Sequence, residues 1–476
     1  SRLPFPLVLL VNTVVLNMHR FAHFGVDVIQ HLCDLATFYV QDYVRSFATD
    51  TVASLITSRF NSSSDENASI DFPTEEKVPM KNLDDPLNLL ALESVLVARK
   101  RSREDDVHSD VTVSQQEVIS PLCSTIALTI RPEGAEAGLS ALYVILENTG
   151  HGIEGSMTWS MLIESIAACA GNTSERSGGT WIPCGMLAFR CLKLIVDDFL
   201  DVLPEPEESS TGKSTRNALL DCCASFGNST HDVNTSLTAT GMLWTIADRD
   251  PCESTLNHVL EKLANLACDT RAEVRNCSVN TLFLCVVGIG NKLSGDQWEA
   301  CLTGTIFGVL EKVSRFNDAG KENNEGGVTN ELANKSSREK RYRVNVHHSR
   351  DSAEKQWQAT LVLTLRGLER LLRQFFVQLL RTTVDVVQVS DSTNEMFQKI
   401  KPSRLGGEFR FESDEGSDEA LSRTRSISNV QKNTPWFLDA WDRILAVALK
   451  WASTPGGREI LDLRLVGVDI LVLCSQ

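Results

Sequence analysis

The sequence has no uninterrupted run of the roughly 20 apolar residues that a helix needs to cross a bilayer. Its most apolar early stretch, Leu3 to Leu16, is broken by Pro4, Pro6 and Asn12 and reads as a buried helix. No Cys-x-x-Cys pair occurs, and the thirteen cysteines are scattered through helical patterns with no signal peptide ahead of them. They read as reduced core residues, which leaves neither a disulfide framework nor a zinc site. There is no Gly-x-Ser-x-Gly turn, so a serine triad has no support. Sustained alternation of period two is missing as well, and with it the case for a β domain. Basic residues number 46 against 62 acidic ones, and a net charge of −16 argues against binding to nucleic acid, which requires a concentrated basic surface.

What remains is ordinary for a folded chain: 42% apolar residues and 23% charged ones. Yet 476 residues is several domain lengths, and no single large core is evident. An elongated repeat array accounts for both. Helical period dominates, most plainly from Trp357 through Leu361, Leu365, Leu368, Leu372 and Phe375 to Leu379, with Arg366, Glu369, Arg370 and Arg373 on the other face. Between helical blocks lie polar inserts too poor in large apolar residues to offset their ordering entropy. A repeat array tolerates such inserts because each unit touches only its neighbours.

The expected fold is all-α, an α-solenoid of HEAT/armadillo-like helix pairs with long disordered inserts. Helical repeats are expected over 1–60, a mostly disordered insert with a short helix over 61–117, and repeats again over 118–203. A linker over 204–216 leads to HEAT-like repeats over 217–316 and a disordered insert over 317–345. A long amphipathic helix over 346–389, an insert over 390–432 and a helical repeat over 433–476 complete the chain. The apolar run Val466 to Leu473 calls for a neighbour to cover it, so the chain reads as a segment of something longer.

The repeat unit is legible from Leu256 to Val287: an apolar helix face of Leu256, Val259, Leu260, Leu263 and Leu266, a turn at Asp269, and a second helix. Further hairpins are expected at Leu139 to Ala170, Met186 to Phe226 and Trp436 to Cys474. The segment DTRAEVRNCSVNTL resembles a HEAT repeat. The resemblance implies that Asp269 accepts hydrogen bonds from backbone donors at the turn and Arg275 packs along the stack, with Val274, Ser278 and Leu282 forming the packed face.

Several blocks in order are more specific: LYVILENTGHGIEGSMTWSMLIESI, AFRCLKLIVDDFLDVLP, NTSLTATGMLWTIAD, DTRAEVRNCSVNTL and VHHSRDSAEKQWQATLVLTLRGLERLL. Together they resemble the C-terminal region of the Mon-two (monensin sensitivity) family, non-catalytic relatives of the large Sec-seven-type Arf exchange factors. The sharpest part is HHSRDSAEKQW, a polarity pattern with no generic helical reason to exist. The resemblance implies a peripheral scaffold of the trans-Golgi network and endosomes, not an enzyme and without cofactors, working with a Dopey-family partner and possibly an Arf or Arf-like small GTPase on the membrane surface. The alternative is the regulatory C-terminal region of an Arf guanine-nucleotide exchange factor. No segment resembles the Sec-seven domain that such catalysis needs.

Candidate sites weigh as follows. Gly212-Lys213-Ser214-Thr215 resembles the end of a phosphate-binding loop, but Glu207 stands where its first glycine should be and no strand precedes it. His347 and His348 near Asp351 and Glu354 lack a third ligand for a metal, and capping of the long helix by Ser349 or Asp351 explains the acidic neighbours. The exposed candidates for a partner contact are His347, His348, Arg350, Gln356 and Trp357. Asp197, Asp198 and Asp201 read as the solvated face of an apolar helix. The basic run Arg99 to Arg103 reads as a solvated loop. Arginines three residues ahead make Ser426 and Ser428 candidate phosphosites, where added charge would extend the loop or attract a basic partner.

Overall fold

The computed structural model describes residues 3–64, 113–171, 179–204, 214–229, 232–249, 253–325, 353–387, 436–454 and 461–475. Every regular element among them is helical, and no strand occurs among the described residues, so the protein is all-α. The chain divides into two compact units, Ser1–Leu266 and Ala267–Gln476.

Unit one contains α1 (Phe5–Leu16), α2 (Phe21–Phe38), α3 (Asp42–Ser64), α4 (Gln115–Leu128), α5 (Pro132–Thr149), α6 (Ser156–Ala167), α7 (Ile182–Leu194, running on as a π-helical turn over Ile195–Phe199), α8 (Thr215–Gly227), α9 (Val233–Arg249) and α10 (Glu253–Leu266). Local chemistry sets several of the starts. Ser114 and Glu117 form a reciprocal capping box at α4, and prolines in the first turn open α1, α5 and α7, where a missing N–H costs nothing. Asp232 caps α9, accepting from the backbone N–H groups of Asn234 and Thr235.

The helices stack in two layers. One runs α2, α4, α6, α8, α10, each packed on the next, and α3, α5 and α7 follow one another in the second, where α9 meets the π turn of α7. The hairpins are therefore α2–α3, α4–α5, α6–α7 and α8–α9. This corrects the expected pairing over Leu139 to Ala170 and Met186 to Phe226, which took the other register. Periodicity identifies an apolar face without saying which neighbour covers it. Expectation and structure also differ at α1, where Leu7, Val11, Val14 and Val15 are buried but Phe5, Leu9 and Leu16 stand in solvent. The adjacent Cys222 and Cys223 are both fully buried, because α8 has neighbours in both layers.

Unit two contains α11 (Ala272–Ile289), α12 (Gly295–Glu299, followed by a π turn over Ala300–Ile306), α13 (Phe307–Glu325), α14 (Ala353–Val387), α15 (Trp436–Ser453) and α16 (Leu461–Ser475). The long helix α14 is the organising element, packing on α11, α12, α13, α15 and α16. The face read from the sequence is the face it buries: Leu361, Leu365, Leu368, Leu372, Phe375 and Leu379 are all shielded from solvent. Helices α15 and α16 form the expected final hairpin and approach closely at Gly467, where a Cβ would lie 2.7 Å from the Ala452 backbone nitrogen and 2.8 Å from the Ala448 carbonyl oxygen. The polar insert expected from Asn317 begins later, since α13 runs to Glu325 and Asn317 is itself buried.

Both units carry the same corner. In unit one, α5 gives way to a 3-10 turn at Gly150–Gly152, and the Ile153 N–H returns to the Gly150 carbonyl at 3.3 Å. In unit two, α11 gives way to a 3-10 turn at Gly290–Lys292, and the Leu293 N–H returns to the Gly290 carbonyl at 3.3 Å. A fully buried tryptophan follows each, Trp159 and Trp298. A phenylalanine from a later helical segment then covers the glycine and meets the indole, Phe199 at 6.0 Å from Trp159 and Phe375 at 5.1 Å from Trp298. Any side chain at Gly150 or Gly290 would collide with that ring.

Two stretches, Gly179–Phe199 and Ala272–Lys292, are long and apolar enough to cross a membrane by length and composition alone. Each contributes to a helix-stack core, the first through Cys184, Ala188, Cys191 and Leu192, the second through Val274, Val279, Leu282 and Val286.

Candidate functional site

The turn before α11 starts from Asp269. Its Oδ1 accepts the backbone N–H of Arg271 at 2.7 Å and the same residue's Nε at 2.9 Å, while Oδ2 accepts Nη2 at 2.8 Å. A carboxylate that takes a backbone donor and one edge of a guanidinium, Nε and Nη2 together, fixes the direction in which α11 leaves the turn. One turn further on, Arg275 points inward and is only 1% exposed. Its Nη1 donates to the carbonyls of Asp269 and Thr270, both at 2.9 Å, and its Nε reaches Thr360 Oγ1 at 3.4 Å. Burial pulls its pKa down and the Asp269 carboxylate opposes that shift. Arginine still remains a cation, so the bonds it makes to the turn are charge-assisted. Val274, Ser278 and Leu282 are buried on the same helix.

The guanidinium lies against an aromatic from α14. Arg275 Cζ is 3.7 Å from the centroid of the Trp357 ring, and on the indole Phe316 of α13 stacks at 4.6 Å with an interplanar angle of 16°. The order Arg275, Trp357, Phe316 thus leads from the core outward, ending at a phenylalanine that is 45% exposed. A second tie joins α11 to α14: the Thr360 hydroxyl donates to Asn276 Oδ1 at 2.8 Å and lies 3.1 Å from the Gln356 carbonyl oxygen. Together these contacts lock the first turns of α14 onto the start of α11 and the turn before it.

Of the residues chosen for partner contact, Gln356 and Trp357 are half-buried, so Trp357 is a layer of this stack and not a free surface group. That corrects its place among exposed residues, and the physical reason is the cation beneath it, which an indole face attracts. His347, His348 and Arg350 lie outside the described residues, as do Ser426 and Ser428 and the capping positions Ser349 and Asp351. Phe316 was missed, because the polar composition from Asn317 onward hid one more helical step after Val309, Leu310 and Val313. Of the weak phosphate-loop match, Gly212 and Lys213 lie outside the described residues, while Ser214 stands at the start of α8 and the Thr215 hydroxyl donates to the Ser156 carbonyl at 3.3 Å.

Among the described residues no group of three or more His, Cys, Asp or Glu side chains is placed to hold a metal. Burial pushes the thiols of Cys33, Cys123, Cys191, Cys223 and Cys301 up to about 12, so they stay protonated and unreactive. Asp197, Asp198 and Asp201 face solvent, the first bridged to Lys193 at 2.5 Å. In unit one, Asp221 on α8 receives Lys262 at 2.7 Å and His258 at 3.0 Å from α10.

Comparison with known proteins finds similar sequences over the same stretch. Residues 251–400 match the family described as the C-terminal region of Mon2 protein. The chain is 28% identical to the Protein MON2 homolog of Drosophila melanogaster over 285 residues, covering 54% of this chain and 15% of the relative. It is 29% identical to the human Protein MON2 homolog over 231 residues, 40% of this chain and 12% of the relative. With the Xenopus laevis Protein MON2 homolog it shares 24% identity over 414 residues, 79% of this chain and 20% of the relative. The aligned region thus spans a fifth or less of the length of these relatives. No solved structure matches it.

Proposed function

Because this chain belongs to the Mon2 family and corresponds to its C-terminal region, we propose that it is a non-catalytic scaffold segment in vesicle-mediated protein transport between the trans-Golgi network, endosomes and plasma membrane. It acts by holding proteins, with a Dopey-family protein as the principal partner, on the cytoplasmic surface of those membranes. The stacked helix pairs of unit one support a HEAT/armadillo-like solenoid, in which stability comes from contacts between neighbouring repeats and long inserts are tolerated.

The observation that carries the reading is the family match over residues 251–400, which encloses the Arg275, Trp357 and Phe316 stack. The interior of that stack is packing. Its outer layer, Phe316 with Gln356 nearby in sequence to Trp357, is the part a partner can reach. An aromatic backed by a rigid layer loses little freedom on binding and makes a suitable anchor.

The test is affinity capture of the tagged full-length protein from its own cells, with Dopey-family protein and Golgi membrane markers quantified. A Phe316→Glu variant serves as the comparison, since deleting α14 would remove core residues such as Leu361 and Leu365. Recovery of the partner by the parent, reduced in the variant, supports the scaffold reading. Loss of the partner with Arf recovered and its nucleotide exchange accelerated would replace it with the exchange-factor reading.

A further inference from the structure

Unit one exposes an apolar cluster that its own fold does not use. Helices α2 and α3 are joined through Tyr39–Gln41, and α4 and α5 through Thr129–Arg131. The two connections are neighbours: Arg131 Cζ lies 5.5 Å from the Phe38 ring centroid, and Gly134 backs onto Thr37, where a Cβ would come within 2.7 Å of Thr37 Cγ2. At this double corner Phe38 is 61% exposed, Val40 89%, Leu128 77% and Ile130 81%. Single exposed apolar residues are common, but four large ones on adjoining corners form a patch of the kind that marks an interaction surface. The cores of the same helices are supplied by other residues, Ile29, Leu32 and Ala36 on α2 and Leu122 and Ile126 on α4.

Shape and charge select the occupant. These side chains sit at the tips of two adjoining helix hairpins and stand largely in solvent. A projecting apolar tip suits a medium that closes around it, the boundary between headgroups and acyl chains. Residues 38–41 and 128–131 contain no carboxylate, and their sole charge is Arg131, carried over an aromatic ring, while the exposed Glu133 stands behind it in the first turn of α5. Asp42, just behind the first corner, is bridged to Arg45. Aromatic side chains and an arginine settle at headgroup level while aliphatic ones reach deeper, and the corner carries both kinds.

We propose that this corner inserts into the surface of a lipid bilayer, with Val40, Leu128 and Ile130 beneath the headgroups and Arg131 at the level of the phosphates. The proposal deepens the peripheral-membrane part of the function proposed above and rests on it only for which membrane is met in the cell.

The experiment is flotation of the purified 476-residue chain with vesicles of phosphatidylcholine alone and with phosphatidylserine added, comparing the parent with a Val40→Asp, Ile130→Asp double variant. The parent floats with both vesicle types, with little effect of salt, because apolar burial is not screened. The double variant loses binding by about tenfold or more and keeps its helical circular dichroism and melting point, since both positions are exposed. Equal flotation of the two proteins overturns the proposal, as does flotation that requires phosphatidylserine and vanishes in salt. Self-association of the parent that the double variant abolishes also overturns it, assigning the patch to a second copy. Capture of the Dopey-family partner in parallel judges the scaffold reading separately.

Discussion

Arg275 and Trp357 meet face to face, guanidinium carbon to ring centroid at 3.7 Å, although one stands in the first turn of α11 and the other in the first turns of the long helix α14. Their contact ties the start of α11, and through it the Asp269 turn, to the start of α14. Arg275→Ala removes the cation from the indole and two charge-assisted bonds from the turn carbonyls, so unit two loses about 2–4 kcal/mol. Arg275→Lys keeps the charge without the planar fork and recovers only part of this. Urea unfolding midpoints of the three proteins check both statements.

The closest approach of α15 and α16 depends on Gly467. The atoms that a Cβ would meet there are backbone atoms of Ala448 and Ala452, which cannot rotate away. Gly467→Ala therefore separates the pair and destabilises unit two by about 1–3 kcal/mol despite the better helix propensity of alanine. Gly241 on α9 is the control, because nothing lies within 4 Å of a Cβ added there. Gly241→Ala stabilises by roughly 0.5–1 kcal/mol, and thermal melts of the two variants should move in opposite directions.

Acid weakens unit one through Asp221. Burial alone would raise its carboxyl, but the hydrogen bonds and charges of Lys262 and His258 outweigh burial and hold it below the usual carboxylate range. A group whose folded pKa is lowered contributes stability that is fully present above its unfolded value, about 3.9, and is lost as pH falls through the folded one. Asp221→Asn should flatten the fall in stability below about pH 4 and cost no more than about 1 kcal/mol near neutrality, since the pair is partly solvated. Chemical denaturation across the acid range measures this.

Thiol labelling reads the core. At pH 8, Cys33, Cys123, Cys191, Cys223 and Cys301, each pushed up to about 12, should react only as fast as the protein opens. Cys268, Cys277 and Cys474 are half-buried and should react sooner. All thirteen should label in denaturant. Fast native labelling of Cys223 would mean that α8 is not enclosed as described.

The sequence was most informative where one helix face repeats in steps of three and four. Leu361 to Leu379 could be read directly because α14 buries that stripe for most of its length. Asp269 and Arg275 were legible through a HEAT resemblance, but the partner of Arg275 on α14 was not, since Thr360 lies 85 positions away and nothing local points to it. The hairpin register of unit one was hidden for a similar reason: α5 and α6 are consecutive, yet α5 pairs with α4 and α6 with α7. The repeated corner was present all along as Gly-x-x-Ile-x-Gly at Gly150 to Gly155 and Gly-x-x-Leu-x-Gly at Gly290 to Gly295, each followed by a buried tryptophan. Only the phenylalanine covering each glycine reveals why those glycines are needed.

The most direct measurement of the central claim is binding of the purified chain to a purified Dopey-family protein, comparing the parent with Phe316→Ala while circular dichroism confirms the fold. An exposed aromatic anchor is worth about 1–2 kcal/mol, so the account predicts a Kd that rises about 5- to 30-fold in the variant. An unchanged Kd, or no binding by the parent, would contradict a partner contact on the outer layer of this stack.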